Sequence, residues 1–191
     1  MKHIKHIVIG NGTSRLDYDM NKLEGIKYGC NAIYRDYMTD YLICKDKNIC
    51  DEILGSGCWK DRQVIMLTRW RNDSEIQEVY EKIIWWKDII GTNDYTDCGS
   101  VALKIAAKHA SQFGDNEVYM YGMDFDDPNS KTINNVYHDT PNYSGRLNQR
   151  RGVTKEFLNT IDEYPDVKFI HMNSKLPELL SVRENVTWNT I

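Results

Sequence analysis

The sequence is poor in proline and glycine and contains no long hydrophobic run. Its 191 residues include four prolines and 12 glycines, against 12 tyrosines and five tryptophans. This aromatic content lets the chain bury enough apolar surface to fold, so we exclude intrinsic disorder and a fibrous structure. No apolar run approaches the roughly 20 residues that a membrane helix needs. The first ten residues are too short and interrupted for a secretory signal, which predicts a cytoplasmic protein.

Closely paired cysteines and an excess of positive charge are absent as well. None of the five cysteines forms a Cys-x-x-Cys pair, so we interpret them as reduced, largely buried thiols. Lysine and arginine together number 24 and the acids 28, for a net charge of −4. Such a chain lacks the basic field of a general nucleic-acid-binding protein. The length suits a single domain over residues 1–191, and no repeat or linker divides it.

Short apolar runs, several of them closed by turn residues, predict six β-strands. They cover residues 4–9, 26–30, 40–44, 63–67, 117–122 and 167–171. Apolar residues at intervals of three and four predict helices over residues 73–86 and 99–113, and a third from Thr154. Ser74 and Gln77 form a capping box for the first of these helices.

Strands and helices alternate in the second half of the chain, which implies crossover connections and a mainly parallel sheet. The predicted fold class is therefore α/β: a single Rossmann-like, doubly wound sheet with helices on both faces. Roughly 30 residues with little periodicity follow the strand at 117–122, and a loop that long in a compact domain is usually functional. We interpret residues 124–152 as a lid or binding loop.

Ligands of doubly wound sheets bind beyond the carboxyl ends of the strands, near the point where the strand order reverses. Gly10-Asn11-Gly12 and Ser14 follow the first strand, Asn31 follows the second, and Gly99 opens the second helix. Glycines let backbone amides approach a phosphate closely. The segment is neither a dinucleotide fingerprint nor a Walker loop, and a turn that needs only glycine and asparagine explains it equally well.

Acidic and basic side chains in the long loop offer further candidates. Asp124, Asp126 and Asp127 could hold a divalent cation against a diphosphate, although acidic loop residues more often cap turns. His138 is the only histidine there and could act as a general base, with a solvated or structural role as the alternative. Three arginines of the loop could bind a phosphate or form a solvated basic face. They are Arg146, Arg150 and Arg151.

Four segments, taken in order along the chain, resemble parts of a known family. They are residues 7–14, residues 29–34, residues 98–99 together with 117–125, and residues 167–170 together with Asn173 and Ser174. These segments resemble the bacterial sialyltransferases of glycosyltransferase family 42 and, more loosely, the 6-hydroxymethylpterin diphosphokinase-like proteins. The first corresponds to that family's opening strand and Gly-Asn-Gly turn, and the last to its closing strand.

The resemblance implies a nucleotide-sugar donor, carrying a cytidine nucleotide, at the strand ends and no metal cofactor. Asn11 and Asn31 would contact the nucleotide, and the helix that Gly99 opens would face the donor. The family's general base, a histidine of the lid, would correspond to His138. The remaining expected contacts are with phosphate, through the hydroxyl groups of Tyr137 and Tyr143.

Three functions are consistent with these residues. The preferred one is an enzyme, a glycosyltransferase acting on a nucleotide sugar and an acceptor that the sequence does not identify. The alternative is a metal-dependent nucleotide or pyrophosphoryl transferase, in which Asp124, Asp126 and Asp127 would hold Mg²⁺. The third is a non-enzymatic nucleotide-binding or structural protein whose exposed aromatic residues serve a homo-oligomer or partner interface.

Overall fold

Eight β-strands lie side by side in one sheet, and every pair of neighbours is parallel. The computed structural model describes residues 3–72, 77–92, 94–95, 97–114, 116–125, 134–143, 154–173 and 177–189. The strands are β1 (His6–Ile9), β2 (Ile26–Cys30), β3 (Tyr41–Cys44), β4 (Gln63–Met66), β5 (Ile83–Trp85), β6 (Glu117–Tyr121), β7 (Lys168–Met172) and β8 (Val186–Asn189).

The strand order is β5-β4-β3-β2-β1-β6-β7-β8. The first half of the chain steps outward from β1 in one direction, and the second half steps outward from β6 in the other. The order therefore reverses between β1 and β6, and this boundary is the topological switch point of a doubly wound sheet. The arrangement confirms the predicted fold class.

Helices cover both faces of the sheet. The α-helices are α1 (Lys47–Ser56), α2 (Trp86–Ile90), α3 (Cys98–Phe113), α4 (Lys155–Glu163) and α5 (Glu178–Ser181). Short 3-10 helices occupy Thr13–Asp17, Met20–Lys22, Asn31–Arg35, Cys58–Lys60, Thr68–Trp70 and Gln77–Lys82. The buried residues of α3 and α4 form one hydrophobic cluster with one face of the sheet, whereas those of α1 join a second cluster on the other face.

The central strand β1 shows why its sequence is apolar at consecutive positions. Val8 belongs to the cluster on the α3 face, whereas Ile7 and Ile9 belong to the cluster on the α1 face. A parallel strand covered on both sides buries every residue, so its sequence is a continuous apolar run rather than an alternating one. Helix α3 packs against β1, β2 and β6, so it covers one face of the sheet across the switch point.

The prediction of one helix over residues 73–86 is wrong. Its described residues form the 3-10 helix Gln77–Lys82 and the edge strand β5, and α2 begins only at Trp86. β5 pairs with β4, and its side chains alternate between the two hydrophobic clusters. Pairing with β4 and burial therefore determine the structure here. A strand of three residues is too short for the spacing of its apolar side chains to distinguish it from part of a helix. Ser74 of the predicted capping box lies outside the described residues.

Within the described ranges, no helix combines the length and the apolar character required to cross a lipid bilayer.

Polar rings cluster around Tyr28 in the sheet. The Tyr28 hydroxyl lies 3.0 Å from Nδ1 of His6 and 2.8 Å from Nδ1 of His109, and its ring stacks on Tyr41. A phenol has one hydrogen to donate, so at least one of the two imidazoles must donate to its oxygen. The pKa of His109 is lowered, chiefly by burial and further by the charges of His6 and Lys108.

This lowered pKa predicts a loss of stability at acid pH. Below about pH 6.5 the unfolded chain takes up a proton at His109 more readily than the folded chain does. The free energy of unfolding therefore decreases as the pH is lowered. We expect His109→Gln to flatten the decrease between about pH 7 and 5 in urea unfolding curves. The matched control, His3→Gln, changes an exposed histidine and should leave the pH dependence as it is. Equal slopes for wild type and His109→Gln would contradict the assignment.

Candidate functional site

The candidate site begins where the ends of β1 and β6 touch at the switch point. The Gly10 amide donates to the Tyr121 carbonyl at 2.8 Å, and the Gly12 amide donates to the Gly122 carbonyl at 2.9 Å. A Cβ atom on Gly10 would lie 2.3 Å from the Gly122 carbonyl oxygen. Gly122 itself has a φ of 59°, a conformation that favours glycine. The strand ends therefore require glycine here whether or not a ligand binds.

Asp124 fastens the turn that follows β1. Its carboxylate accepts hydrogen bonds from the Ser14 amide at 2.9 Å, from the Ser14 hydroxyl, and from Nδ2 of Asn173 at 2.9 Å. A Cβ on Gly12 would lie 2.4 Å from the Asp124 Cγ. The carboxylate thus occupies the amino end of the short helix Thr13–Asp17, a position that favours negative charge.

Metal-binding clusters are absent from the part of the chain that the structure describes. No group of three or more His, Cys, Asp or Glu residues there could hold an ion. Asp126 and Asp127 lie outside that part, as do Ser174 and the three arginines at 146, 150 and 151.

Residues 134–143, which we call the strap, cross the carboxyl edge of the sheet. The Oδ1 atom of Asn134 accepts from both the amide and the hydroxyl of Thr13, each at 2.7 Å. Two residues on, the Val136 amide donates to the Asn11 carbonyl at 2.9 Å. The described part of the predicted lid is therefore docked on the glycine turn.

A buried arginine links this turn to the strap. The side chain of Arg15 is 1% exposed, and its guanidinium donates to the Gly10 carbonyl at 3.2 Å and to Oδ1 of Asn11 at 3.3 Å. It also donates to Asp36 at 3.1 Å and to the Tyr137 hydroxyl at 2.8 Å. Tyr137 donates in turn to Asp36 at 2.6 Å. Burial, followed by the hydrogen bond to Asp36, raises the pKa of Tyr137.

A second arginine holds the far part of the strap. Arg35 makes a two-bond pair with the Glu52 carboxylate, each bond at 2.6 Å, and donates to Thr140 at 2.8 Å and to the Pro141 carbonyl at 2.9 Å. Asn142 donates to the same carboxylate at 2.6 Å. Hydrogen bonding to Arg35 is the main reason that the pKa of Glu52 is lowered to about 2.

Asn31 and the amino end of α3 meet beside the strap, as the strand-end argument predicts. Asn31 has a φ of 50°, and its Oδ1 accepts from the Cys98 thiol at 3.2 Å. Asp97 caps α3 by accepting from the Ser100 amide at 2.7 Å. A Cβ on Gly99 would lie 3.0 Å from the Asp97 carboxylate, so close packing against the cap favours glycine.

Like Nε of Arg15, the Tyr143 hydroxyl is a buried, unsatisfied group of this edge. Its oxygen is buried and has no hydrogen-bond partner among the described residues. Burial is the main cause of its raised pKa; Cys98, Asp46 and Cys30 add to the increase, and the Ala32 backbone, too poorly placed for a full hydrogen bond, counteracts it. A buried hydroxyl without a partner costs about 1–3 kcal/mol. The group is therefore a candidate contact for a bound ligand.

His138 lies on the strap with an accessible ring. Its side chain is 37% exposed, and Nε2 lies 3.1 Å from the Asp139 carboxylate. Asp139 adopts a φ of 63° in the turn that brings the two groups together. The pair has the composition of a general base with an orienting carboxylate.

Sequence reasoning missed four residues that fasten the strap: Arg15, Arg35, Asp36 and Glu52. The available signal for Arg15 was its position directly after the glycine turn. Asp36 and Glu52 carry no local signal, because their partners lie 101 and 90 residues further along the chain in the strap.

An open groove of about 820 Å³ lies at the opposite edge of the sheet. It is lined by the first residues of several strands, including Ile26, Tyr41 and Gln63, and by Trp59. Ligands of doubly wound sheets bind at the carboxyl edge, so we place the candidate site under the strap rather than in this groove.

Comparison with known proteins supports the fold. No protein-family model matches the sequence. No curated protein matches it either. Among solved structures, the chain is similar to the α-2,3-sialyltransferase from Campylobacter jejuni in its apo form, with a TM-score of 0.52 and 14% identity over 90% of this chain and 76% of that one. The sialyltransferase CST-II with a trisaccharide acceptor and CMP gives a TM-score of 0.47 and 14% identity, over 87% and 80% of the respective chains. The first likeness agrees with the sequence resemblance.

The Asp124 contact predicts that Gly12 does not tolerate a side chain. The backbone of Gly12, with a φ of −66°, is open to alanine, so the penalty of Gly12→Ala comes from displacing the Asp124 carboxylate and the Gly122 carbonyl oxygen, which would lie 2.4 and 2.7 Å from the new Cβ. We expect a loss of about 1–3 kcal/mol in the free energy of unfolding, measured by urea denaturation. The control is Gly55→Ala in α1, where a Cβ meets nothing within 4 Å and no stability should be lost. An unchanged urea midpoint for Gly12→Ala would rule out this tight contact.

Proposed function

We propose that the protein is a glycosyltransferase that binds a nucleotide-sugar donor, with a cytidine nucleotide, at the carboxyl edge of β1 and β2. The observation that carries the proposal is the buried, unpartnered hydroxyl of Tyr143 beside these strand ends. The proposal is supported by the position of β1, which borders the topological switch point between β1 and β6. The fold likeness to a sialyltransferase and the sequence resemblance to that family support the same class of reaction.

The two asparagines at this edge are oriented as hydrogen-bond donors. Oδ1 of Asn11 accepts from Arg15, and Oδ1 of Asn31 accepts from Cys98. With each amide oxygen held by the protein, the Nδ2 group of each side chain has no partner among the described residues and would donate to a ligand. Together with the Tyr143 hydroxyl they offer neutral donors, which suit the carbonyl, ribose and phosphate oxygens of a nucleotide.

His138 is the proposed general base. Its ring would remove the proton of an acceptor hydroxyl while the oxygen attacks the anomeric carbon of the sugar. The bond from that carbon to the nucleotide phosphate breaks, and its electron pair leaves with the phosphate oxygen. Asp139 would stabilise the imidazolium that forms. Both oxygens of Asp124 already accept hydrogen bonds within the chain, so the proposal assigns it a structural role and includes no metal.

Nucleotide binding tests the proposal first. We expect CMP to bind more tightly than UMP in isothermal titration calorimetry, with the same Kd in the presence of EDTA. Loss of one hydrogen bond in Tyr143→Phe should weaken CMP binding about tenfold. Tyr119→Phe, which removes a hydroxyl bonded to Glu117 on β6, is the matched control and should bind normally. If no nucleotide binds to the wild type, the proposal fails.

His138→Ala separates the chemical step from binding. Removing a general base should slow nucleotide release from CMP-activated sialic acid about 100-fold or more, because proton transfer is lost. CMP affinity should stay within about twofold of wild type, since the exposed imidazole lies outside the proposed donor contacts. Nucleotide release is measured by a coupled assay with and without candidate glycan acceptors, and His3→Ala serves as the control. An unchanged rate would remove His138 from the mechanism.

A further inference from the structure

We propose that Arg15 is a positioning residue that latches the strap over the candidate site and so presents the Tyr143 hydroxyl to the donor. This inference rests on the proposed function and assigns the regulation of access to the same site. Arg15 itself is not a ligand contact, because its side chain is 1% exposed and its terminal nitrogens donate to oxygens of the protein.

Arg15 joins three separate pieces of the chain. Its guanidinium binds Gly10 and Asn11 of the glycine turn, Asp36 after the short helix Asn31–Arg35, and Tyr137 of the strap. The guanidinium also lies 4.9 Å from the centre of the Tyr137 ring. Tyr137 uses its hydroxyl twice, as acceptor from Arg15 and as donor to Asp36. The strap is therefore held at Tyr137 by charge-assisted hydrogen bonds, which are the stronger kind.

The contacts of Tyr137 with Arg15 and Asp36, which we call the latch, can break without leaving a buried charge unpaired. Asp36 remains paired with Arg15 when Tyr137 leaves, because their contact at 3.1 Å does not involve the strap. The Asp36 side chain is 45% exposed, so water can replace the Tyr137 hydroxyl at its carboxylate. Release of the Tyr137 hydroxyl therefore breaks two hydrogen bonds and leaves intact the ion pair of Arg15 and Asp36, which would be far more expensive to break.

Short-range contacts connect the latch to the proposed ligand contact. The Thr140 amide donates to the Tyr137 carbonyl at 3.0 Å, and the Tyr143 amide donates to the Thr140 carbonyl at 2.9 Å. The rings of Tyr137 and Tyr143 pack with centroids 5.9 Å apart. Two successive turns and a ring contact make residues 137–143 one unit. A shift of Tyr137 away from Arg15 must therefore move Tyr143.

A double-mutant cycle on CMP affinity tests the coupling. Tyr137→Phe removes the latch hydroxyl and keeps the ring, and Arg15→Lys keeps the charge and removes the forked contact. We expect either variant to weaken CMP binding about tenfold, and Tyr143→Phe then to cost less than about twofold in its background. Fully independent effects of the two sites would overturn the inference. Arg183→Lys, which alters an exposed pair with Asp162, is the control and should bind normally.

Hydrogen exchange without ligand tests the latch separately. The Val136 amide donates to Asn11 only when the strap is docked, so its exchange should be at least about tenfold faster in Tyr137→Phe than in wild type. The amides of β1 should exchange as in wild type. If CMP binds to no form but Val136 exchange rises, the proposed function fails and the latch stands. Unchanged Val136 exchange in both Tyr137→Phe and Arg15→Lys overturns the latch, whatever the nucleotide result.

Discussion

The contact between the ends of β1 and β6 is the constraint on which the site depends. Backbone meets backbone there, with Gly10 bonded to the Tyr121 carbonyl and a hypothetical Cβ only 2.3 Å from Gly122. This approach sets the direction of the glycine turn and brings Asp124 onto the amino end of the next helix. The glycine turn supplies acceptors for Arg15, and Arg15 binds Tyr137 of the strap. The position of the strap therefore depends on a backbone contact that only glycine permits.

The hydrophobic core and the carboxyl edge of the molecule are stabilised by different forces. Two apolar clusters cover the two faces of the sheet, and β1, β3 and β4 contribute residues to both. At the edge, long-range polar contacts replace apolar packing, because turns and strap must satisfy backbone groups that the sheet no longer pairs. Arg35 with Glu52 and Arg15 with Asp36 are both partly buried pairs whose geometry fixes the strap. Such pairs specify position more than they add stability.

The sequence predicted what depends on local pattern and missed what depends on distant partners. The apolar run of β1, the short strand patterns that follow it, and the stripe and ending of α3 were sufficient to predict most elements and the parallel sheet. The edge strands β5 and β8 were not found, because three or four residues carry too little periodicity. The glycine turn, Asn31 and the start of α3 do converge. Their roles as ligand contacts, like those of His138, Tyr137 and Tyr143, stay predictions.

The balance of charge at the edge discriminates between kinds of nucleotide chemistry. Arg15 is paired with Asp36, Arg35 with Glu52, and the Asp124 carboxylate with the Ser14 amide and hydroxyl. Among the described residues at this edge, the neutral donors of Asn11, Asn31 and Tyr143 are the candidate ligand contacts. Triphosphate transfer needs cations to neutralise the charge that develops on the phosphates. A nucleotide sugar joined through a single phosphate needs much less, which is why neutral donors suit the proposed glycosyl transfer.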